Sequence, residues 1–145
     1  MATAARVDPF RTFNFRIEID GLTVGSFREC SGLMADGNSV EYREGTDMAR
    51  TVRKLIGLQT YGNITLKRGY TPNRELWTWY TNIVNGQADR RNGTIVLMDE
   101  SRADVMRWDV ENMWIKKIEA PSFNATANEV AMESVEIVHE GLTLV

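Results

Sequence analysis

His139 is the sole histidine and Cys30 the sole cysteine in the 145 residues. Any Ser-His-Asp or Cys-His nucleophile must therefore use His139. It closes the last strand pattern, beside Glu140-Gly141, where a surface strand-end histidine is a simpler reading than a general base. Metal sites of the His/Cys kind need several ligands, and one of each falls short, so no metal or cofactor is expected. Cys30 precedes Ser31-Gly32, with Arg28 as its nearby cation, and reads as a small, partly buried residue. Glu41 with Glu44, Asp99 with Glu100, and Asp109 with Glu111 have the spacing of acid–base pairs. Asp109 and Glu111 share the polar face of a strand, which is where a solvated surface puts charge anyway. Neither a glycine-rich dinucleotide loop nor a phosphate-binding P-loop occurs. Basic residues cluster weakly at Arg50, Arg53 and Lys54, at Lys67 and Arg68, at Arg90 and Arg91, and at Lys116 and Lys117. They are balanced by acids, which favours solvated turns and inter-subunit salt bridges over nucleic-acid binding. Trp77, Trp79, Trp108 and Trp114 read as core and interface anchors.

The elements that would hold these residues are mostly strands. The length suits one domain over residues 1–145, with a core large enough to need no staples. A hydrophobic content of 43% and a charged content of 26% are ordinary for a folded chain, and the net charge of −3 demands no nucleic acid. A lone cysteine closes no intrachain disulfide. The start, MATAARVDPFRTF, lacks the apolar run of a signal peptide, and no apolar run reaches the ~18 residues of a bilayer span. The expectation is a protein made in the cytoplasm, without stable membrane association.

Residues 1–9 read as a flexible arm. In Thr12–Asp20, Phe13, Phe15, Ile17 and Ile19 alternate with polar residues. Asp20-Gly21 then predicts a type I′ hairpin returning along Leu22 to Cys30, with a bulge at Gly25. A turn-rich link, Ser31 to Asn38, leads to a short strand at Val40–Glu44. Residues 45–62 keep neither period and read as an extended loop, at most a long hairpin arm with frayed ends; such stretches are usually functional. Asn63–Gly69 is a strand with Ile64 and Leu66 on one face. TPNRELWTWYTNIVNG is the one helix, with Thr71 as cap, Pro72 in its first turn, a buried stripe of Leu76, Tyr80, Ile83 and Val84, and a stop at Asn85-Gly86. Gln87 to Gly93 is a polar loop before a strand at Thr94–Met98, and Asp99 to Ala103 is a turn. A strand carrying Met106, Trp108 and Val110 is broken in phase at Asn112 and continues from Trp114 to Ile118. Val130–His139 is the last strand. About seven strands with short polar turns predict a mainly β protein, a sandwich or barrel with one flanking helix. Its unpaired sheet edges call for copies of itself.

The segments DPFRTFNFRIEIDG, ECSGL, EYREG, RKLIGLQTYGNITLKRG, ELWTWY and NATANEVAMESVEIVHEGL, in that order from Asp8 to Leu142, resemble the tail-tube proteins of contractile phages and of related contractile injection systems. Ile56 and Ile115 stand where that family often has proline. The resemblance implies homohexameric rings stacked into a rigid hollow inner tube, a conduit for protein or DNA cargo. It also implies sheath, baseplate or spike, and tube terminator as partners. The excursion would then reach the adjacent ring through Met48, Arg50, Val52, Arg53, Lys54, Leu55, Ile56 and Leu58. The helix, with Leu76, Trp77, Tyr80, Ile83 and Val84, would lie on the outer side. Two other classes remain open: a small monomeric β-barrel module for an apolar ligand, and an enzyme built on the clustered carboxylates.

Overall fold

The computed structural model describes residues 8–9, 14–22, 27–46, 48, 50–126 and 129–145. The elements run β1 Phe15–Ile19, β2 Glu29–Ser31, β3 Ala35–Tyr42, β4 Arg53–Tyr61, β5 Ile64–Gly69, α1 Glu75–Val84, β6 Arg91–Met98, β7 Asp104–Glu119, β8 Met132–Val138 and β9 Gly141–Leu144. Among the described residues the chain is mainly β with one helix. Seven strands form a folded but unclosed sheet in the order β1-β6-β7-β8-β5-β2, with β9 added to β7, and β3-β4 is a separate two-stranded sheet. Every ladder is antiparallel.

Period-two alternation sets the core. Ile17 and Ile19 of β1, Ile64 and Leu66 of β5, Ile95 of β6, and Val135 and Ile137 of β8 are all buried on inward faces. Each such side chain contributes roughly 1.5–3 kcal/mol on leaving water. β7 joins the two layers. Its first half pairs with β6 and β9, its second half with β8. The change of partner follows a bulge at Glu111-Asn112, where Asn112 has φ 52° and its N–H donates to Asn92 Oδ1 at 3.0 Å. The phase break expected at Asn112 is that bulge, and a bulged strand bends.

Several expectations need correction. Among the described residues the opening segment pairs otherwise than expected: β1 pairs with β6, and the described part of the return segment holds β2, which pairs with β5. Gly21 has φ 76° and Leu22 N–H reaches Ile19 O at 3.0 Å, but Asp20 is not among the positive-φ residues. That is the pattern of a type II turn, whose twist splays flanking strands, so the chain crosses to the other layer. The predicted bulge at Gly25, and the strand start at Thr12 and Phe13, lie outside the described residues, as does most of the 1–9 arm. β3 begins at Ala35 inside the predicted link, β6 begins at Arg91 inside the predicted loop, and β9 was unanticipated. β9 is four residues long, too short to show a period.

The helix starts at Glu75. Its N-cap is Arg74, without a side-chain cap, while Asn73 Oδ1 accepts from Glu75 N–H at 2.8 Å. Thr71 and Pro72 therefore precede it in a turn. The stop holds: Gly86 has φ 86°. Leu76 and Trp79 are buried, Tyr80 and Ile83 pack partly against the core, and Val84 is exposed. The stripe is thus 76, 79, 80 and 83, one helical face, and Val84 falls past the sheet it covers.

Candidate assembly surfaces

The strands on either side of the predicted excursion are one structure. Cys30 pairs with Leu66 and Ser31 with Thr65 in β2–β5, and Ala35 pairs with Tyr61 and Asp36 with Thr60 in β3–β4. These pairs keep the same register, and Gly62 N–H donates to Met34 O at 2.9 Å between them. A single long hairpin therefore starts in the body and continues outward as an arm. The break lies at Gly32, with φ 93°, where an added Cβ would meet Asn63 O. Only glycine takes that bend without strain. The extended loop expected over residues 45–62 is corrected accordingly: from Arg53 to Tyr61 it is strand.

His139 secures the root of this arm. Its Nε2 lies 3.0 Å from Gly62 O and its Nδ1 3.2 Å from Gly141 O, and its ring centroid lies 5.5 Å from that of Tyr61. It is half-buried rather than a bare surface residue, and both nitrogens face backbone carbonyls.

Pairing register separates the arm into two faces. Val40 opposite Leu55, and Tyr42 opposite Arg53, share one face; Glu41 opposite Lys54, and Ser39 opposite Ile56, share the other. A register shift between Gly37 and Ser39 gives β4 one extra residue beside Gly57 and Leu58. Of the residues assigned to stacking, Met48 is 99% exposed, Ile56 90% and Leu58 80%. Val52 and Leu55 are less exposed but still open, and Arg50, Arg53 and Lys54 are exposed. The structure brings the strand residues of this set together on one arm, and Met48 and Arg50 to its outer end.

The helix presents a different surface. Trp79, missed in the predicted stripe, anchors it: its indole N–H donates to Asp89 O at 2.7 Å, and Arg91 lies over its ring at 4.9 Å. Its i+3 spacing from Leu76 was the available signal. Trp77, partly exposed, meets Tyr80 edge to face. The Arg91 guanidinium holds the Asp89 carboxyl below the usual carboxylate range.

The body sheet also has a polar outer face. On β2-β5-β8-β7, Glu29 pairs across to Lys67, Thr65 to Glu136, and Glu136 to Lys117, with Ser134 opposite Glu119. Lys67 and Glu29 approach to 3.8 Å, Lys117 and Glu119 to 4.0 Å. Among the described residues no group of three or more His, Cys, Asp or Glu is placed to hold a metal. Asp109 accepts from Thr94 Oγ1 at 3.1 Å and lies 3.6 Å from Arg107. Burial pushes the Cys30 thiol up to about 11. No described helix is long and apolar enough to cross a membrane.

No curated protein sequence matches the chain significantly. Its fold matches a chain in the cryo-EM structure of the anti-feeding prophage cap (AFP tube terminating cap), with TM-score 0.88 and 27% identity over 99% of this chain and 95% of that one. It is similarly close to a chain in the sheath/tube terminator of an extracellular contractile injection system, PVC, at TM-score 0.86 and 27% identity over 97% and 99%. A chain of the PVC sheath-tube complex in its extended state gives 0.84 and 26% over 94% and 91%. The family model for the T4-like virus tail tube protein gp19 matches residues 11–143, and the chain belongs to that tail-tube family.

Proposed function

We propose that the chain forms homohexameric rings that stack into the inner tube of a contractile particle, assembled in the cytoplasm and serving as a conduit for cargo. The observation that carries this reading is the arm. β3 and β4 form a sheet of their own, and Val40, Tyr42, Leu55 and Leu58 stay exposed on it. Apolar residues gathered on an exposed, paired arm suit contact with a further copy of the chain. The matched structures include a sheath-tube complex, a tube terminating cap and an AFP baseplate, which supports sheath, cap and baseplate as partners. The polar face of β2-β5-β8-β7 is the bore lining that suits this role. Glu29 and Glu119 are paired with Lys67 and Lys117, and Glu136 leaves a slight negative excess, so the face offers DNA no adhesive track.

The monomeric ligand-binding alternative would need a site that encloses most of its ligand, and the apolar hollow of about 350 Å³ between Cys30, Leu33, Leu97 and Trp108 lies open at the surface. The void lined by Ile17, Ile64, Ile95 and Val110 holds about 10 Å³, roughly one water at most. Negative-stain electron microscopy, with mass by light scattering on the same sample, tests the proposal. Six-membered rings or hollow tubes are expected. Monomers at every concentration, even beside a cognate baseplate, would end it.

A further inference from the structure

β5 has two ends, and each leads to an exposed apolar surface. At its start the ladder continues into the arm, whose outer end carries Met48. At its finish, about 20 Å away at ~3.4 Å per residue, Tyr70 follows Gly69 and its N–H donates to Ala131 O at 2.9 Å. There Phe123, 79% exposed, meets the Tyr70 ring edge to face at 6.4 Å, with Val130 exposed as well. Beside this aromatic ledge lies a hollow of about 370 Å³ lined by Tyr70, Pro72, Arg74 and Trp77 among others. Among the described residues neither Phe123 nor Met48 belongs to the core or packs against it.

We propose that the arm tip of one copy seats on the Tyr70–Phe123 ledge of the next copy along the stack, Met48 meeting the aromatic pair. The inference rests on the tube reading and names the receiving surface within it. Three observations select a second copy as the occupant. First, the two surfaces lie beyond opposite ends of β5, the arm before Ile64 and the ledge after Gly69, the arrangement a head-to-tail contact requires and a two-fold dimer does not. Second, a methionine thioether packs favourably against aromatic ring edges and adapts to an irregular hollow. Third, Arg50 flanks Met48 while Glu129 flanks Val130, so charges of opposite sign meet when the tip is seated.

The test uses full-length protein polymerised on a baseplate nucleus, with tube length measured by electron microscopy. Phe123→Asp and Met48→Asp should each cut tube mass by about tenfold or more, while rings and the thermal melt stay unchanged. Arg50→Glu alone and Glu129→Arg alone should each shorten tubes, and the two together should restore length. Singly substituted Met48→Cys and Phe123→Cys chains, mixed in tubes and treated with a disulfide oxidant that takes up the two electrons and two protons, such as oxidised glutathione, should yield a disulfide-linked heterodimer. Wild-type length in Phe123→Asp, or tubes of mixed chains without that crosslink, would overturn the ledge while leaving the tube intact. Failure of the wild-type chain to assemble at all would instead overturn the tube reading beneath it.

Discussion

One hairpin lives under two regimes of burial. In the body, Ile64 and Leu66 of β5 are almost completely shielded; further out along the same ladder, Ile56 and Leu58 of β4 are almost completely open. The strand propensities are alike and the ladder is continuous apart from one extra residue in β4, so local sequence does not cause the difference. What differs is the presence of a second layer: Ile64 and Leu66 of β5 share a core with Ile17 and Ile19 of β1 and Ile95 of β6, and among the described residues the arm has only its own two strands. A two-stranded sheet is marginal alone, so the arm borrows order from the body at its root and is suited to gain the rest from a partner.

That comparison can be broken most sharply at Trp79. Trp79→Ala should destabilise the body by about 3–5 kcal/mol, read as a shift in denaturant midpoint, whereas Ile56→Ser with Leu58→Ser should move the midpoint by less than ~0.5 kcal/mol and still abolish tubes. Equal midpoint shifts would mean that the arm packs on its own body. Arg68 and Glu133 give the next test. They form a buried pair at 3.0 Å, with Glu133 Oε1 lacking a partner among the described residues. Arg68→Met should cost about 3–5 kcal/mol, and adding Glu133→Leu should recover most of it; a double variant as unstable as the single would show that the pair is needed for more than charge balance. Gly32→Ala probes the junction itself, where positive φ and the Asn63 carbonyl both oppose a side chain. A loss of ~1–3 kcal/mol is expected, together with faster amide exchange in β3 and β4 than in β6. Uniform acceleration would place the junction inside the body's cooperative unit. The smallest effect concerns Cys30. Its folded thiol titrates at about 11 against 9.0 unperturbed. Stability is therefore intact below pH 9 and falls between pH 9 and 11, as the unfolded chain alone releases the proton. Alkylation at neutral pH should be slower than for a free thiol, and equal rates would show that the thiol is not shielded.

Where alternation met a second layer, the sequence was readable: Ile64 and Leu66, the β7 break at Asn112, and the helix stop at Gly86 all lie where residue type dictates. The opening turn misled because Asp-Gly serves type I′ and type II turns alike, and only the φ of Asp20 separates them. The arm was harder. Its β4 half, RKLIGLQTY, alternates poorly because a bulge resets its phase at Gly57-Leu58 and because its burial is not set within one chain. Trp79 hid among four tryptophans, although its distance from Leu76 marked it. The tail-tube likeness was legible from ordered segments across the whole chain. The pairing of arm root with His139 was not, since Gly62 and His139 are joined only by the fold.

The register shared from Cys30 to Gly37, across the junction of body and arm, has a mechanical consequence. Ladder hydrogen bonds stand perpendicular to the strands, so a pull on the arm along its own axis passes down β4 into β5 and loads the β5–β8 ladder in shear. Many bonds then bear the load at once, where a sideways pull would open them in turn. The arm is a tie rod in one direction and a zip fastener in the other.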